Sequence, residues 1–190
     1  MQDLVEHGCA RETRQPYQEQ DDFAQGVTLF ATGSSAGLPF YQRAVADSAD
    51  FDWLIAALPL STPDPVMLLS GTSFSLPAGA PETQLAAWLF IKYFTSPEIQ
   101  AQWAQTSGYF PVRAGAAPYL TDHLAANSAY AAAWDLLPFG VAEPSTPGYD
   151  DVRKMVAEAF GAILAGERPA PILNQLNQDA NFNLAEQLAR

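Results

Sequence analysis

Gly33-Ser34-Ser35-Ala36-Gly37 has the spacing of a nucleophile elbow, with Ser35 in the middle. A hydrolytic serine also needs a histidine to take its proton. His123 is the histidine that follows Ser35, and its setting, Tyr119-Leu120-Thr121-Asp122-His123, reads as a solvated helix face. Three acidic pairs could in principle do acid–base work: Asp21-Asp22, Asp50 with Asp52, and Asp150-Asp151. Asp150 and Asp151 open a predicted helix, where the helix dipole already favours carboxylates. Asp21 and Asp22 stand in a polar stretch ahead of a predicted strand. The spaced oxygen ligands of a calcium loop are missing, as are a glycine-rich phosphate loop and a His-Glu-x-x-His pair. The lone cysteine, Cys9, makes neither an internal disulfide nor a Cys-based zinc site. We therefore expect no catalytic residue, no metal and no cofactor.

A different chemistry is available to the small polar and aromatic residues of predicted loops: Ser34, Ser35, Ser70, Thr72, Tyr109, Phe110 and Tyr149. Aromatic faces stack on the C–H surfaces of sugars, and hydroxyls and backbone amides read hydroxyl groups. Composition alone leaves the plainer alternative open, that these are turn residues and core aromatics.

The chain that must position them has 190 residues, 48% apolar and 16% charged, which suits one globular domain or pieces of two. Its net charge of −12 repels phosphates and disfavours nucleic acid and anionic lipid as partners. A neutral or cationic ligand fits better. No run approaches the roughly 20 apolar residues of a membrane helix. Met1-Gln2-Asp3-Leu4 lacks the basic start and apolar run of a signal peptide.

Residues 1–9 read as the end of a helix stopped by Gly8, and residues 10–22 as irregular. Val27–Thr32 is a β-branched and aromatic run between glycines, which predicts a buried strand. A helix follows over Leu38–Ala46, then a second strand over Phe51–Leu58. Val66–Leu69 and Thr72–Leu76 read as short extended segments around Ser70-Gly71. Pro81 starts a helix whose Leu85, Trp88, Leu89 and Lys92 recur at helical spacing. Ser96-Pro97-Glu98 combines a cap, an N1 proline and a first-turn acid, with Ile99 and Trp103 on the face read as buried. Gly108 ends that helix, and Pro111 keeps Phe110 extended. Residues 117–137 are predicted helical in two pieces and residues 140–148 a loop. An amphipathic helix runs over 149–165 and a last helix carries Ile172 to Leu184.

Within this frame, Ala86-Ala87-Trp88-Leu89-Phe90-Ile91-Lys92-Tyr93-Phe94-Thr95-Ser96-Pro97-Glu98-Ile99-Gln100, then Trp103, then Thr106-Ser107-Gly108-Tyr109-Phe110-Pro111-Val112, closely resembles a signature of family 1 extracellular solute-binding proteins. Gly26–Ser35, Ser70–Gly79 and Ala162–Glu167 resemble further segments of that family in the same order. The likeness covers nearly the whole chain and is closest to the sugar- and glycerol-3-phosphate-binding branch.

The resemblance implies an α/β fold of the periplasmic-binding-protein type II kind, helix-rich, in which residues 1–55 and 125–190 form a C-terminal lobe. Residues 56–124 would then be hinge strands and a helical piece of the N-terminal lobe. Family members are about twice as long and begin with a secretion signal or lipid anchor. The expectation is therefore that Met1 is an internal start and that the remaining N-terminal half is missing. The implied role is capture of a carbohydrate or polyol outside the cytoplasm, periplasmic or at the cell surface, for an ABC permease. Carried over residue by residue, the ligand-binding positions are Gly33, Ser34, Ser35, Ser70, Gly71, Thr72 and Tyr109. The phosphate-binding arginine of glycerol-phosphate binders has no counterpart around Phe139–Gly148, where Glu143 stands, so a neutral ligand is favoured. Apolar surface and sheet edges would be left open, which implies a homodimer, a domain swap or a partner chain.

Two alternatives come from other classes: a serine hydrolase using Ser35, and a non-binding remnant with an assembly role. The binding-protein reading predicts no turnover of generic esters such as p-nitrophenyl acetate beyond background. Turnover that Ser35→Ala abolishes would replace it with the hydrolase.

Overall fold

Helix-start chemistry places most of the elements. The computed structural model describes residues 2–49, 51–59, 61 and 63–189, so the Asp50 half of the Asp50/Asp52 pair lies outside the described residues. In chain order the helices are α1 (Gln2–Glu6), α2 (Gln18–Ala24), α3 (Leu38–Asp47), α4 (Pro81–Phe94) and α5 (Pro97–Ser107). They are followed by α6 (Thr121–Ala126), α7 (Ser128–Trp134), α8 (Tyr149–Leu164) and α9 (Pro169–Leu188). Short 3-10 turns span Ser35–Gly37, Ala114–Tyr119 and Leu137–Phe139. The prolines of α3, α4, α5 and α9 all sit in the first helical turn, where the missing N–H costs nothing. The sheet is one parallel pair, β1 (Met67–Leu69) with β2 (Gly140–Ala142), in the register Leu68 opposite Val141.

The result is helix-rich with a small parallel sheet, and several local expectations are corrected. Val27–Thr32 is not in a ladder, and Leu29 and Phe30 are 86% and 87% exposed instead of buried. A strand exists only where another backbone accepts its hydrogen bonds, and among the described residues only β1 and β2 pair. Phe51–Leu58 is likewise unladdered, although Phe51, Trp53, Ile55 and Ala57 alternate with exposed neighbours as a half-buried strand would. Thr72–Leu76 has no regular structure, whereas residues 18–22, read as irregular, belong to α2 with its acidic first turn. The apolar rhythm of α4 predicts burial, yet Leu85, Trp88 and Leu89 are exposed and Ala87, Ile91 and Phe94 are half-covered. In α5 the buried face is Gln100, Ala101 and Ala104, and Trp103 is exposed. Ser96 occupies the N-cap of α5 without a side-chain capping bond.

The chain divides into two compact units, which we describe separately. One combines residues 1–14 with 143–190. Its helices α8 and α9 pack on one another, and α1 touches α8. Gly148 starts α8 from a left-handed conformation, φ 75°, and Asp150 and Asp151 lie in the first turn, where Asp151 pairs with Lys154 at 3.3 Å. The other unit, residues 15–142, holds α2–α7 and the sheet.

The core of that larger unit has two clusters. Ala101, Ala104, Ala116 and Leu120 form one, Leu38, Ala129 and Tyr130 the other, and Leu124 and Trp134 pack against both. The alanines let α5 and the Ala114–Tyr119 turn approach closely, which is why a run with so few large residues still closes. Gln100 is the buried polar residue of this core. Its Nε2 donates to the Phe94 carbonyl at 2.9 Å, and its Oε1 accepts from the Val112 N–H at 3.0 Å. One side chain thus joins the end of α4 to the segment after α5.

Replacing Gln100 with leucine strands both of those backbone groups. We expect Gln100→Leu to lower unfolding free energy by roughly 2–4 kcal/mol, read as a lower urea midpoint with unchanged slope. An unshifted midpoint would show that these bonds contribute nothing.

Candidate functional site

The predicted ligand loop is built by a cap. Ser34 is extended, φ −81° and ψ 146°, and its Oγ accepts the Ala36 N–H at 3.3 Å, which starts the 3-10 turn Ser35–Gly37 that runs straight into α3. Leu38, the first residue of α3, is buried against Ala129 and Tyr130. Burying Leu38 anchors the loop just ahead of it, while Gly33 and Ser34 stay exposed.

Tyr109 reaches the same neighbourhood from α5. Gly108 ends α5 in the left-handed region, φ 73°, which glycine adopts without strain. A Cβ at Gly108 would lie 2.7 Å from Pro39 Cγ, so the backbone there touches the first turn of α3. The Ser107 Oγ accepts the Tyr109 N–H at 3.3 Å, and Tyr130 Oη donates to the Tyr109 carbonyl at 3.2 Å. The Tyr109 ring stands 6.5 Å from Trp103 by centroids and is partly exposed. Gly33–Ser35 and Tyr109 therefore emerge from two sides of one contact, Pro39 against Gly108.

Ser70, Gly71 and Thr72 follow β1 and are exposed, with open space where a Gly71 Cβ would be. Among the described residues no hydrogen bond ties them to Gly33–Ser35 or Tyr109. The Pro39–Gly108 contact links the elements that carry two of the three predicted groups. Ser35 and His123 share no hydrogen bond either. The His123 ring is engaged by the Asn127 Nδ2 at 3.3 Å from its Nδ1 and by the Tyr130 ring, edge to face at 4.8 Å. The hydrolase alternative gains no support from this geometry. Among the described residues, no group of three or more His, Cys, Asp or Glu side chains could hold a metal ion.

Tyr41 lies beneath the loop. Its hydroxyl is 3.4 Å from the position of a Gly33 Cβ, is buried and has no hydrogen-bond partner. Burial, with a smaller contribution from the negative charge of Glu19, raises its pKa above the ordinary tyrosine value. Its ring belongs to an aromatic group with Phe23 at 5.9 Å and Trp53 at 6.2 Å.

A cleft of about 200 Å³ opens beside this group, lined by Gln42, Phe51, Asp52, Trp53, Asn127 and Ser128 with Ala126 and Ala129. None of the predicted ligand positions lines it. Asn127 is held there by donating to the His123 carbonyl at 2.9 Å. The sequence signal for the cleft is the polar break Asn127-Ser128 between two alanine-rich helices, which sequence reasoning passes over because nothing in it says what α3 packs against.

Glu143, where a phosphate-binding arginine would stand by resemblance, pairs with Arg153 through a 3.4 Å contact from Nε to Oε1 and a 3.5 Å bond from Nη1 to Oε2. Among the described residues no helix is long and apolar enough to cross a membrane.

Compared with known families, residues 3–132 match the sequence model of a family described as bacterial extracellular solute-binding protein. No curated protein matches the chain.

Burial pushes the Tyr130 hydroxyl up to about 12 from its ordinary 10. The folded chain keeps this proton where the unfolded chain has lost it. The contribution is whole below pH 10 and disappears as pH rises through about 12. We expect stability to fall more steeply over that window in the native chain than in Tyr130→Phe, by urea unfolding at stepped pH. At neutral pH the substitution should cost about 1 kcal/mol. Parallel pH curves for the two chains would show that Tyr130 titrates as freely as an exposed tyrosine.

Proposed function

The chain belongs to the bacterial extracellular solute-binding protein family, and on that premise we propose that it captures a carbohydrate or polyol and hands it to the permease of an ABC importer. The family is generally non-enzymatic, acts outside the cytoplasm, binds small molecules and works with transporter components. What is proposed beyond this is the ligand class, the ABC partnership and the residues.

The observation that carries the reading is the contact of Gly108 with Pro39, which joins the residue before the partly exposed Tyr109 to the helix that follows the capped Gly33-Ser34-Ser35 loop. The Ser34 and Ser35 hydroxyls and exposed backbone would read ligand hydroxyls, and the Tyr109 ring would stack on a sugar face. Ser70, Gly71 and Thr72 join this wall in the proposal once a ligand is held. The net charge of −12 favours a neutral ligand over a phosphorylated one. No cofactor or covalent step is needed; capture would come from closure of two lobes about a hinge.

In this reading the fold is of the periplasmic-binding-protein type II kind, with residues 1–55 and 125–190 in one lobe and 56–124 giving hinge strands and a helical part of the other. A second chain, as a homodimer or by domain swapping, would cover apolar surface the chain leaves open.

Titration calorimetry against neutral mono- and disaccharides, glycerol and glycerol 3-phosphate tests the proposal. We expect one neutral ligand to bind, with affinity reduced at least about tenfold in Tyr109→Ala, the loss of one stacking contact. Heat only from glycerol 3-phosphate, or a dissociation constant indifferent to Tyr109→Ala and Ser34→Ala, would overturn the ligand class or the site.

A further inference from the structure

We propose that the cleft at Trp53 and Asn127 is a second binding site, which takes the primary ammonium group of a small amine. Its lining comes wholly from the larger unit and includes none of Gly33–Ser35, Ser70–Thr72 or Tyr109. The proposal therefore does not rest on the carbohydrate reading.

The uncommitted atoms of the lining are the first argument. Asn127 donates its Nδ2 to the His123 carbonyl at 2.9 Å. A carbonyl can only accept, so this bond fixes the amide with its nitrogen towards His123 and leaves Oδ1 as the unused acceptor. The side chains of Gln42, Asp52 and Ser128 make no hydrogen bond or ion pair among the described residues. The cleft thus offers a carboxylate, two amide oxygens and a hydroxyl oxygen. An ammonium group carries three donors and no acceptor, which matches a set of this kind.

Charge selects the ammonium over a hydroxyl. Asp52 is the one ionisable residue of the lining, with no lysine, arginine or histidine beside it. A charge-assisted bond from ammonium to carboxylate is roughly twice as strong as a neutral one, and a chain of net charge −12 draws cations and repels anions. Phe51 and Trp53 supply the apolar part of the wall. Both are half-buried, and Phe23 packs edge-on against them at 5.4 and 5.9 Å, which holds them in place. Their rings give an alkyl stem an apolar contact and the cation a π system. Size limits the ligand. About 200 Å³ is less than the roughly 300 Å³ at which pockets for drug-sized molecules begin, so the cleft fits an ammonium head and a short stem.

The test is an NMR titration of the full chain at low salt that follows the indole N–H signals of its four tryptophans, with that of Trp53 assigned through Trp53→Phe. The probes are n-butylammonium chloride, its neutral counterpart 1-butanol, sodium chloride and Nα-acetyl-lysine amide. We expect n-butylammonium to shift the Trp53 signal saturably in the millimolar range, and 1-butanol and sodium chloride to leave it in place. Asp52→Asn keeps the size of an exposed, unpaired side chain, so the fold is retained, and the dissociation constant should rise at least about tenfold. Gln42→Glu adds a second carboxylate and should tighten binding at least about threefold. Tyr109→Ala and Ser34→Ala should leave this titration unchanged, whatever they do to sugar binding. The proposal is overturned by the absence of a saturable shift at Trp53, by an equal shift with 1-butanol, or by a dissociation constant indifferent to Asp52→Asn. Tighter binding of Nα-acetyl-lysine amide than of n-butylammonium would overturn it in favour of a lysine side chain from a partner protein.

Discussion

Burial of Tyr130 is the constraint on which the larger unit depends. Its ring packs on Leu38 from α3, on Phe110 at 5.1 Å and on His123 at 4.8 Å, and its hydroxyl holds the Tyr109 carbonyl. One residue of α7 thus binds the helix that follows the serine loop, the segment after α5 and the helix before its own. A tyrosine suits this post because its ring fills space between elements while its hydroxyl serves the Tyr109 carbonyl.

Around that hub the core is lean. The cluster of Ala101, Ala104, Ala116 and Leu120 is mostly alanine, and Gln100 supplies by hydrogen bonding what large side chains would supply by area. Such packing is sensitive to position more than to volume, since alanine contacts bury little surface and work only at close approach. The same leanness explains the exposed apolar faces. Helix α4 shows Leu85, Trp88 and Leu89 to solvent, and β1 and β2 form a parallel pair with Leu68 and Val141 exposed. Parallel strands are ordinarily covered on both faces, so these elements have the composition of an interior and the setting of a surface.

That contrast bears on the binding reading. In the proposed site the serine hydroxyls and the tyrosine ring would form a wall, and a solute gains most of its affinity when a second surface excludes water from the other side. The Pro39–Gly108 contact forms without side-chain strain because glycine alone suits that approach and that φ.

The sequence by itself determined the local starts and stops. Prolines in first turns, Gly108 and Gly148 at left-handed positions and acids at the head of α8 are decided by backbone sterics and dipoles within a few residues, so α3 through α9 were legible. The composite segment from Ala86 to Arg113 likewise pointed to the family. Only the tertiary structure decided which apolar runs became strands and which side of a helix was covered. Val27–Thr32 and Phe51–Leu58 have strand composition but no ladder, and Leu85 and Trp88 have core spacing but lie exposed. The reason is physical: a helix closes its hydrogen bonds within its own sequence, whereas a strand, a buried face and a cleft such as that at Trp53 and Asn127 are properties of two distant segments at once.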